Sequence, residues 1–193
     1  NQPYNLDLYD SMFQSVMEFQ KKHPDTLWCY GNHDCSYLWR KRESGYSDSA
    51  ANLVNMRLNQ LIREIPEGNI KYLFRRDRLI FSHGGLTAPF VQDYVPDSLW
   101  DNIDLTIDYI NTLGASHIWN DISPIWARPQ YGRIQLWMKD QYVQVVGHTP
   151  VEQVYKQYGA VSTDVYSTRP DMTPIGNQKM IIIDSETAEW KYA

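Results

Sequence analysis

Residues 28–34 read Trp-Cys-Tyr-Gly-Asn-His-Asp, an apolar run that stops at a glycine and continues with three polar side chains. This pattern is typical of a buried strand whose carboxyl end leads into a functional loop. Asn32 offers an amide oxygen, His33 an imidazole, and Asp34 a carboxylate that can hold an imidazole in one tautomer. Taken alone, Gly31-Asn32 is also ordinary turn chemistry, so this stretch admits a purely structural interpretation.

The same pattern occurs twice more along the chain. Residues 80–82 lead into His83, which two glycines follow, and residues 143–146 lead into Gly147 and His148. Three of the five histidines therefore follow apolar runs, each with a glycine close by that permits a sharp turn and the close approach of a ligand. One such histidine is usually an ordinary loop residue, whereas three of them favour a shared metal site.

These three blocks resemble the last three of the five sequence blocks of the calcineurin-like metallophosphoesterases, most closely the protein-phosphatase-like branch. The family's blocks read Asp-x-His, Gly-Asp-x-x-Asp-Arg, Gly-Asn-His-Asp/Glu, a histidine often followed by two glycines, and Gly-His. Here the last three are Gly31–Asp34, His83–Gly85 and Gly147–Thr149, and the resemblance extends over nearly the whole chain. Neither of the first two blocks occurs before Trp28, so we expect the amino-terminal strands to be lost from the protein or to lie upstream of Asn1.

The resemblance implies an α+β fold of the metallophosphoesterase type. This is an α/β/β/α sandwich in which two mixed sheets pack face to face with helices outside, and the site lies at one rim. The length of 193 residues suits one domain, so we expect residues 1–193 to form a single, amino-terminally incomplete metallophosphoesterase domain.

The resemblance also implies a metal site. Asn32, His83 and His148 would hold one divalent ion, and the two missing blocks would supply the ligands of a second ion and a bridging carboxylate. A mixed nitrogen and oxygen ligand set suits Mn²⁺ first, with Fe or Zn²⁺ as alternatives, better than Ca²⁺. The full-length enzyme would therefore use two divalent metal ions, and a water bridging them would attack the phosphorus.

Three further side chains have roles that the resemblance implies. His33 would bind the phosphate and protonate the leaving oxygen, and Asp34 would orient His33. Arg128 lies in a loop dense in aromatic residues and prolines, and its guanidinium would clamp the phosphate oxygens. The alternative for Arg128 is stacking on Trp126 without any ligand.

The function implied is a metal-dependent phosphomonoesterase similar to the serine/threonine protein phosphatases, acting on a phosphorylated protein or small molecule. Without the first two blocks we expect weak metal binding and little turnover. The alternatives are a dinucleoside polyphosphate hydrolase and a non-catalytic scaffold remnant. Net charge of −5 provides no basic face for nucleic acid, and no apolar run is long enough to cross a bilayer. Cys29 and Cys35 are expected to be free thiols in a reducing cytoplasm.

Hydrophobic periodicity predicts helices over residues 5–22, 50–64 and 104–113. Asn5 and Asp48 are the expected N-caps of the first two. Strands are predicted for residues 27–30, 70–75, 78–82, 141–146, 160–164 and 179–184.

The remaining predictions concern the surroundings of the site. The polar residues 35–49 are predicted to form a loop that covers the substrate. Asp164 is expected to support a ligand rather than bind the metal, and His117 to serve at a helix end.

Overall fold

The computed structural model describes residues 6–193, which group into two compact units, one ending at Lys71 and the other spanning Tyr72–Ala193. The first unit contains α1 (Leu6–Lys22), β1 (Trp28–Cys29), α2 (Asn32–Trp39), α3 (Ala51–Glu64) and β2 (Ile70–Lys71). The predicted helices over residues 5–22 and 50–64 are confirmed as α1 and α3. The predicted cap Asn5 lies outside the described residues.

Helices α1 and α3 pack against each other along their apolar faces. Phe13 of α1 lies in one buried cluster with Val54 and Leu58 of α3, and Met17 lies in a second with Leu61. These positions recur every three or four residues, which is why each helix has one apolar side. Beside this pair, β1 and β2 form a short parallel ladder.

The cap predicted for α3 is wrong. The carboxylate of Asp48 accepts a hydrogen bond from Arg42 Nη2 at 2.9 Å instead. Ser47 Oγ accepts a bond from Ala50 N at 3.3 Å, just before the helix begins at Ala51. Asp48 is therefore drawn away from the helix terminus by an ion pair.

The loop predicted for residues 35–49 is only partly present, because the first motif runs directly into α2. This helix begins at Asn32 and ends at Trp39, where Arg40 adopts a left-handed conformation with φ of 53°. The segment that follows is anchored to the helix. Tyr46 stacks on Tyr37 with ring centroids 4.7 Å apart, and Ser47 N donates to Tyr37 Oη at 2.9 Å.

The second unit is built on a five-stranded mixed sheet. Its strands are β3 (Leu73–Arg76), β4 (Leu79–Ser82), β5 (Val143–Val146), β6 (Tyr155–Gln157) and β7 (Ala160–Ser162), in the order β3-β4-β5-β7-β6. The three central strands β4, β5 and β7 are parallel, and the two outer strands pair antiparallel to their neighbours. Ser82 is paired with Val146, so both strands deliver their following loops to one edge of the sheet.

A second sheet covers one face of this five-stranded sheet. It is the antiparallel pair β8 (Ile181–Ile183) and β9 (Trp190–Tyr192). Ile181, Ile183 and Trp190 pack against a buried cluster that includes Leu79 and Val161 of the larger sheet. The five-stranded mixed sheet flanked by helices confirms the predicted fold class, although the second sheet is an antiparallel pair and not the second mixed sheet that was expected.

The sequence did not predict β6 and β9. Each has only three residues, too few for a clear alternation pattern, and both strands are largely exposed and held by pairing rather than by burial.

The helices of the second unit are α4 (Ala88–Tyr94), α5 (Ile103–Asn111) and α6 (Ala115–Ile118), with 3₁₀ turns at Asp97–Leu99 and Pro129–Tyr131. The predicted helix over residues 104–113 corresponds to α5, which ends two residues earlier. His117 lies in the last turn of α6 with its ring 5.8 Å from that of Tyr94, as expected of a helix-end residue. Within residues 6–193, no helix combines the length and the apolar character needed to cross a bilayer.

Candidate functional site

The second and third histidine motifs meet at the carboxyl edge of the five-stranded sheet. His83 follows β4 and His148 follows β5, two adjacent parallel strands. The two side chains face each other, with His83 Nε2 and His148 Nδ1 3.0 Å apart. Gly147 N also donates to His83 O at 2.9 Å, which joins the two loops through the backbone. The expected convergence of these histidines is therefore observed, while their roles as metal ligands remain a prediction.

The backbone at His148 adopts a conformation that few residues take. Its φ is +60°, in the left-handed region that is uncommon for any residue except glycine. The residue is buried, and its ring meets Trp126 edge to face at a centroid distance of 5.7 Å. Such a conformation persists only where the surroundings hold it, and it occurs preferentially at functional sites.

The spacing of the two imidazoles suits a shared metal ion. Two metal–nitrogen bonds of about 2.1 Å at right angles would place their nitrogens about 3 Å apart. Imidazole nitrogen is a good ligand for Mn²⁺, Fe and Zn²⁺. Among residues 6–193, no three side chains of His, Cys, Asp or Glu gather as a metal-binding group, so this pair supplies only part of a ligand set.

Arg128 is tied to the third motif by hydrogen bonds. Its Nη1 donates to His148 O at 3.2 Å and to Thr149 Oγ1 at 3.0 Å. Gln130 Nε2 donates to Gly147 O at 3.1 Å, so the aromatic and proline-rich loop holds the His148 loop at two points. This anchoring, rather than the alternative of stacking on Trp126, accounts for the position of Arg128.

Arg128 also lines a cleft of about 350 Å³ in the same unit. The other lining residues are Asp121, Trp126, Tyr131, Arg133 and Ile134. The guanidinium carries five N–H donors, of which Nη1 supplies two, so Nε and Nη2 are available to a ligand. Two arginines and two aromatic rings make this cleft suited to an anion attached to an organic group.

The close approach of the cleft loop to the second motif requires glycine at position 84. A Cβ there would lie 2.8 Å from Ala127 N and 3.0 Å from Trp126 N. Gly84 N donates to Pro124 O at 2.5 Å, which fixes this approach. The glycine after His83 therefore lets the Arg128 loop pack directly on the second motif.

The first motif lies in the first unit, at the start of α2. Asn32 is buried as the first residue of the helix. His33 is exposed, and its Nδ1 lies 3.0 Å from Glu43 Oε1.

Asp34, whose orienting role remains a prediction, bonds to the backbone at the start of α2. Asp34 Oδ2 accepts a hydrogen bond from Gly31 N at 2.9 Å and so closes the first turn of α2. Burial raises the pKa of this carboxyl above its ordinary value, while the Gly31 bond and the nearby His33 oppose the shift. The carboxylate that contacts the imidazole is Glu43, because the chain turns back after α2.

Asp164 does not support either histidine. Its two carboxylate oxygens accept hydrogen bonds from Ser167 Oγ at 2.8 and 3.0 Å. The side chain is therefore engaged in a local turn after β7, which corrects the expected supporting role.

Sequence reasoning missed three residues of these sites: Glu43, Gln130 and Arg133. Gln130 and Arg133 carry no motif, although the density of aromatic residues and prolines around them indicated a rigid loop. Glu43 lies in the polar segment 35–49, and Gly45 two residues later was the only signal of a close contact there.

Comparisons with known proteins agree with the resemblance in the sequence. The family model described as calcineurin-like phosphoesterase matches residues 5–173. No curated protein matches the sequence significantly.

Two solved structures are similar to this chain. A point mutant of a cold-active protein tyrosine phosphatase has a TM-score of 0.52 at 13% identity, over 92% of this chain and 64% of that one. The cold-active protein-tyrosine phosphatase of a psychrophile, a Shewanella species, has a TM-score of 0.47 at 13% identity, over 86% of this chain and 58% of its own. The first likeness shows a shared fold, and the chain spans less than two thirds of the length of either solved chain.

Proposed function

The chain belongs to the calcineurin-like phosphoesterase family, and from this premise we propose that it acts in a metal-dependent phosphomonoesterase. The observation that carries the proposal is the meeting of His83 and His148 at 3.0 Å beside the anchored Arg128. We propose a phosphorylated protein or small molecule as substrate and the cytoplasm as its location. The cytoplasmic assignment rests on the two free cysteines.

We propose that Asn32, His83 and His148 bind one of two divalent metal ions, with Mn²⁺ preferred over Fe and Zn²⁺. Support comes from the paired imidazoles and from the order of the motifs. When bound, the metals would polarise the phosphate and lower the pKa of an attacking water.

The chain's own residues would bind and orient the phosphoester. Arg128 has Nη1 committed to the His148 loop, so its Nε and Nη2 groups would bind phosphate oxygens from a fixed position. His33, with more than half of its side-chain surface exposed, would donate a proton to the leaving oxygen. The cleft aromatic residues Trp126 and Tyr131 would contact the organic part of the substrate.

The test removes the paired imidazoles one at a time in the manganese-loaded, full-length protein. His83→Ala and His148→Ala should each lower bound metal, measured by elemental analysis after dialysis, and lower the phosphatase rate in parallel. His117→Ala is the matched control, because this exposed histidine lies in the same unit on α6. Unchanged metal content in both site variants would overturn the metal assignment.

Substrate choice separates the proposal from its alternatives. The solved relative of similar fold is described as a protein tyrosine phosphatase, so phosphotyrosine peptides belong in the panel beside phosphoserine peptides and small phosphomonoesters. Faster hydrolysis of a dinucleoside polyphosphate than of any monoester would favour that hydrolase class. Metal binding with no hydrolysis of any of them would favour a non-catalytic scaffold.

A further inference from the structure

We propose that Glu43 is a positioning residue that holds the imidazole of His33 in one orientation and one tautomer. The inference rests on the proposed function, in which His33 donates a proton to the leaving group. Glu43 lies in the segment that follows α2, outside the three histidine motifs.

The two residues in this contact differ strongly in solvent exposure. His33 Nδ1 lies 3.0 Å from Glu43 Oε1, and the side chain of His33 is 59% exposed while that of Glu43 is only 6% exposed. The Nδ1 side of the imidazole therefore faces a buried carboxylate, although more than half of the His33 side chain is exposed. Exposed ion pairs contribute little, but a buried carboxylate is rarely tolerated without fixed partners.

The carboxylate of Glu43 is itself fixed by its own loop. Gly45 N donates to Oε1 at 2.9 Å, and Ser44 Oγ donates to Oε2 at 3.2 Å. Oε1 thus accepts a backbone bond and faces His33 Nδ1 at the same time. The loop that contains Glu43 is attached to α2, because Tyr46 at its end stacks on Tyr37 of the helix.

Gly45 gives independent evidence that the loop is shaped around the imidazole. A Cβ at this position would lie 2.3 Å from His33 Cε1 and 2.7 Å from His33 Nδ1. It would also lie 2.9 Å from Glu43 Oε1. No side chain larger than hydrogen fits unless the ring moves, so Glu43 and Gly45 together form a cradle for His33.

The cradle determines which nitrogen of His33 is available. A carboxylate 3.0 Å from Nδ1 favours the form of the neutral ring that carries its proton on Nδ1 rather than on Nε2. Glu43 acts through His33 and does not itself contact the substrate.

The test uses three variants in the manganese-loaded, full-length protein: Glu43→Gln, Glu43→Ala and Gly45→Ala. Glu67→Gln and Gly114→Ala are matched controls, because Glu67 is exposed and a Cβ on Gly114 meets nothing within 4 Å. We expect kcat on an alkyl phosphate to fall about 10- to 100-fold in the cradle variants. KM should stay within about twofold, and kcat on an aryl phosphate should fall less, because a good leaving group needs little protonation.

Two readouts keep this inference separate from the proposed function. If His33→Ala is slow but both Glu43 variants turn over at the wild-type rate, the positioning role is wrong while the acid role stands. If His33→Ala turns over at the wild-type rate, the acid role is wrong. The double variant His33→Ala/Glu43→Ala should be no slower than His33→Ala, since the two residues act as one unit.

A spectroscopic measurement tests the cradle without any turnover. Nitrogen-15 spectra of the His33 ring should show the Nδ1-protonated tautomer in the wild-type protein and a mixture of both tautomers in Glu43→Ala. Glu43→Gln keeps the side-chain size, and its metal content and melting temperature show whether the fold is intact. An unchanged tautomer in Glu43→Ala would overturn the inference.

Discussion

Arg128 and Arg133 line the same cleft but differ in how they are held. Arg128 is half-buried and hydrogen-bonded to the His148 loop, whereas Arg133 is exposed. A guanidinium that is already fixed loses less conformational entropy on binding an anion. The phosphate-binding role proposed for Arg128 is therefore one that Arg133 should not share to the same extent.

Arg128→Ala should weaken inhibition by inorganic phosphate and raise KM for a phosphomonoester, each by about 10- to 100-fold, as for the loss of charged hydrogen bonds. Arg133→Ala, the control, should change either value by less than about threefold. Inhibition constants and KM values of the manganese-loaded protein provide the measurement. Equal effects of the two substitutions would leave Arg128 as a structural support of the His148 loop only.

Asn32 and His33 are neighbours with different proposed tasks. Asn32→Ala should lower metal affinity, because an oxygen ligand is removed, whereas His33→Ala should retain metal and slow turnover of an alkyl phosphate by about 10²- to 10⁴-fold. Metal content after dialysis and steady-state rates on the same preparations distinguish the two. Loss of metal from His33→Ala would instead make His33 a ligand.

Among the elements, β1 and α2 carry the only two cysteines, and both are free. Burial raises the pKa of the Cys29 thiol from its ordinary value of 9.0 to about 12. Burial also raises the pKa of Cys35, to which the nearby Asp34 adds. Above pH 9.0 these thiols therefore ionise in the unfolded chain while they stay protonated in the folded protein.

The stabilising effect of these thiols should be complete below pH 9.0 and decline as the pH rises towards 12. In that range the unfolded chain has lost protons that the folded state retains, so the unfolding free energy falls with pH. The slope should approach about 1.4 kcal/mol per pH unit for each thiol. Urea unfolding at a series of pH values from 7 upwards measures the unfolding free energy and hence this slope. A Cys29→Ala/Cys35→Ala variant should show a smaller slope. An identical slope would contradict the buried-thiol explanation.

In the whole molecule, the described residues divide at Lys71 into two compact units, each with buried clusters of its own. The sequence nevertheless predicts one domain over residues 1–193. Leu58 belongs to a cluster in the first unit, and the fully buried Ile110 lies on α5 in the second. These two positions allow the prediction of a single domain to be tested.

Leu58→Ala and Ile110→Ala should each lower the unfolding free energy by about 2–5 kcal/mol, because each leaves a cavity in a packed core. In a single cooperative domain, either substitution should lower amide hydrogen-exchange protection in both units. Leu105→Ala, at an exposed position on α5, is the control and should change little. Loss of protection confined to the substituted unit would show that two domains are present.

Local patterns in the sequence determined where the strands that precede His83 and His148 end. An apolar run with a glycine at its end is a short-range signal, and parallel neighbours bring such ends to one edge. The same reasoning holds for α1 and α3, whose apolar faces recur at helical spacing. These features depend on residues close together in the chain, so they could be predicted without coordinates.

Only the tertiary structure decided which partners the functional side chains have. Glu43 reaches His33 because the chain reverses after α2, and Arg128 reaches the His148 backbone because Gly84 lets its loop pack closely. Neither contact has a periodicity or a fixed spacing, since it depends on how a loop folds back over an element. The resemblance suggested that Asp34 orients His33, and only the structure shows that Asp34 Oδ2 accepts a bond from Gly31 N while the carboxylate of Glu43 lies beside the imidazole.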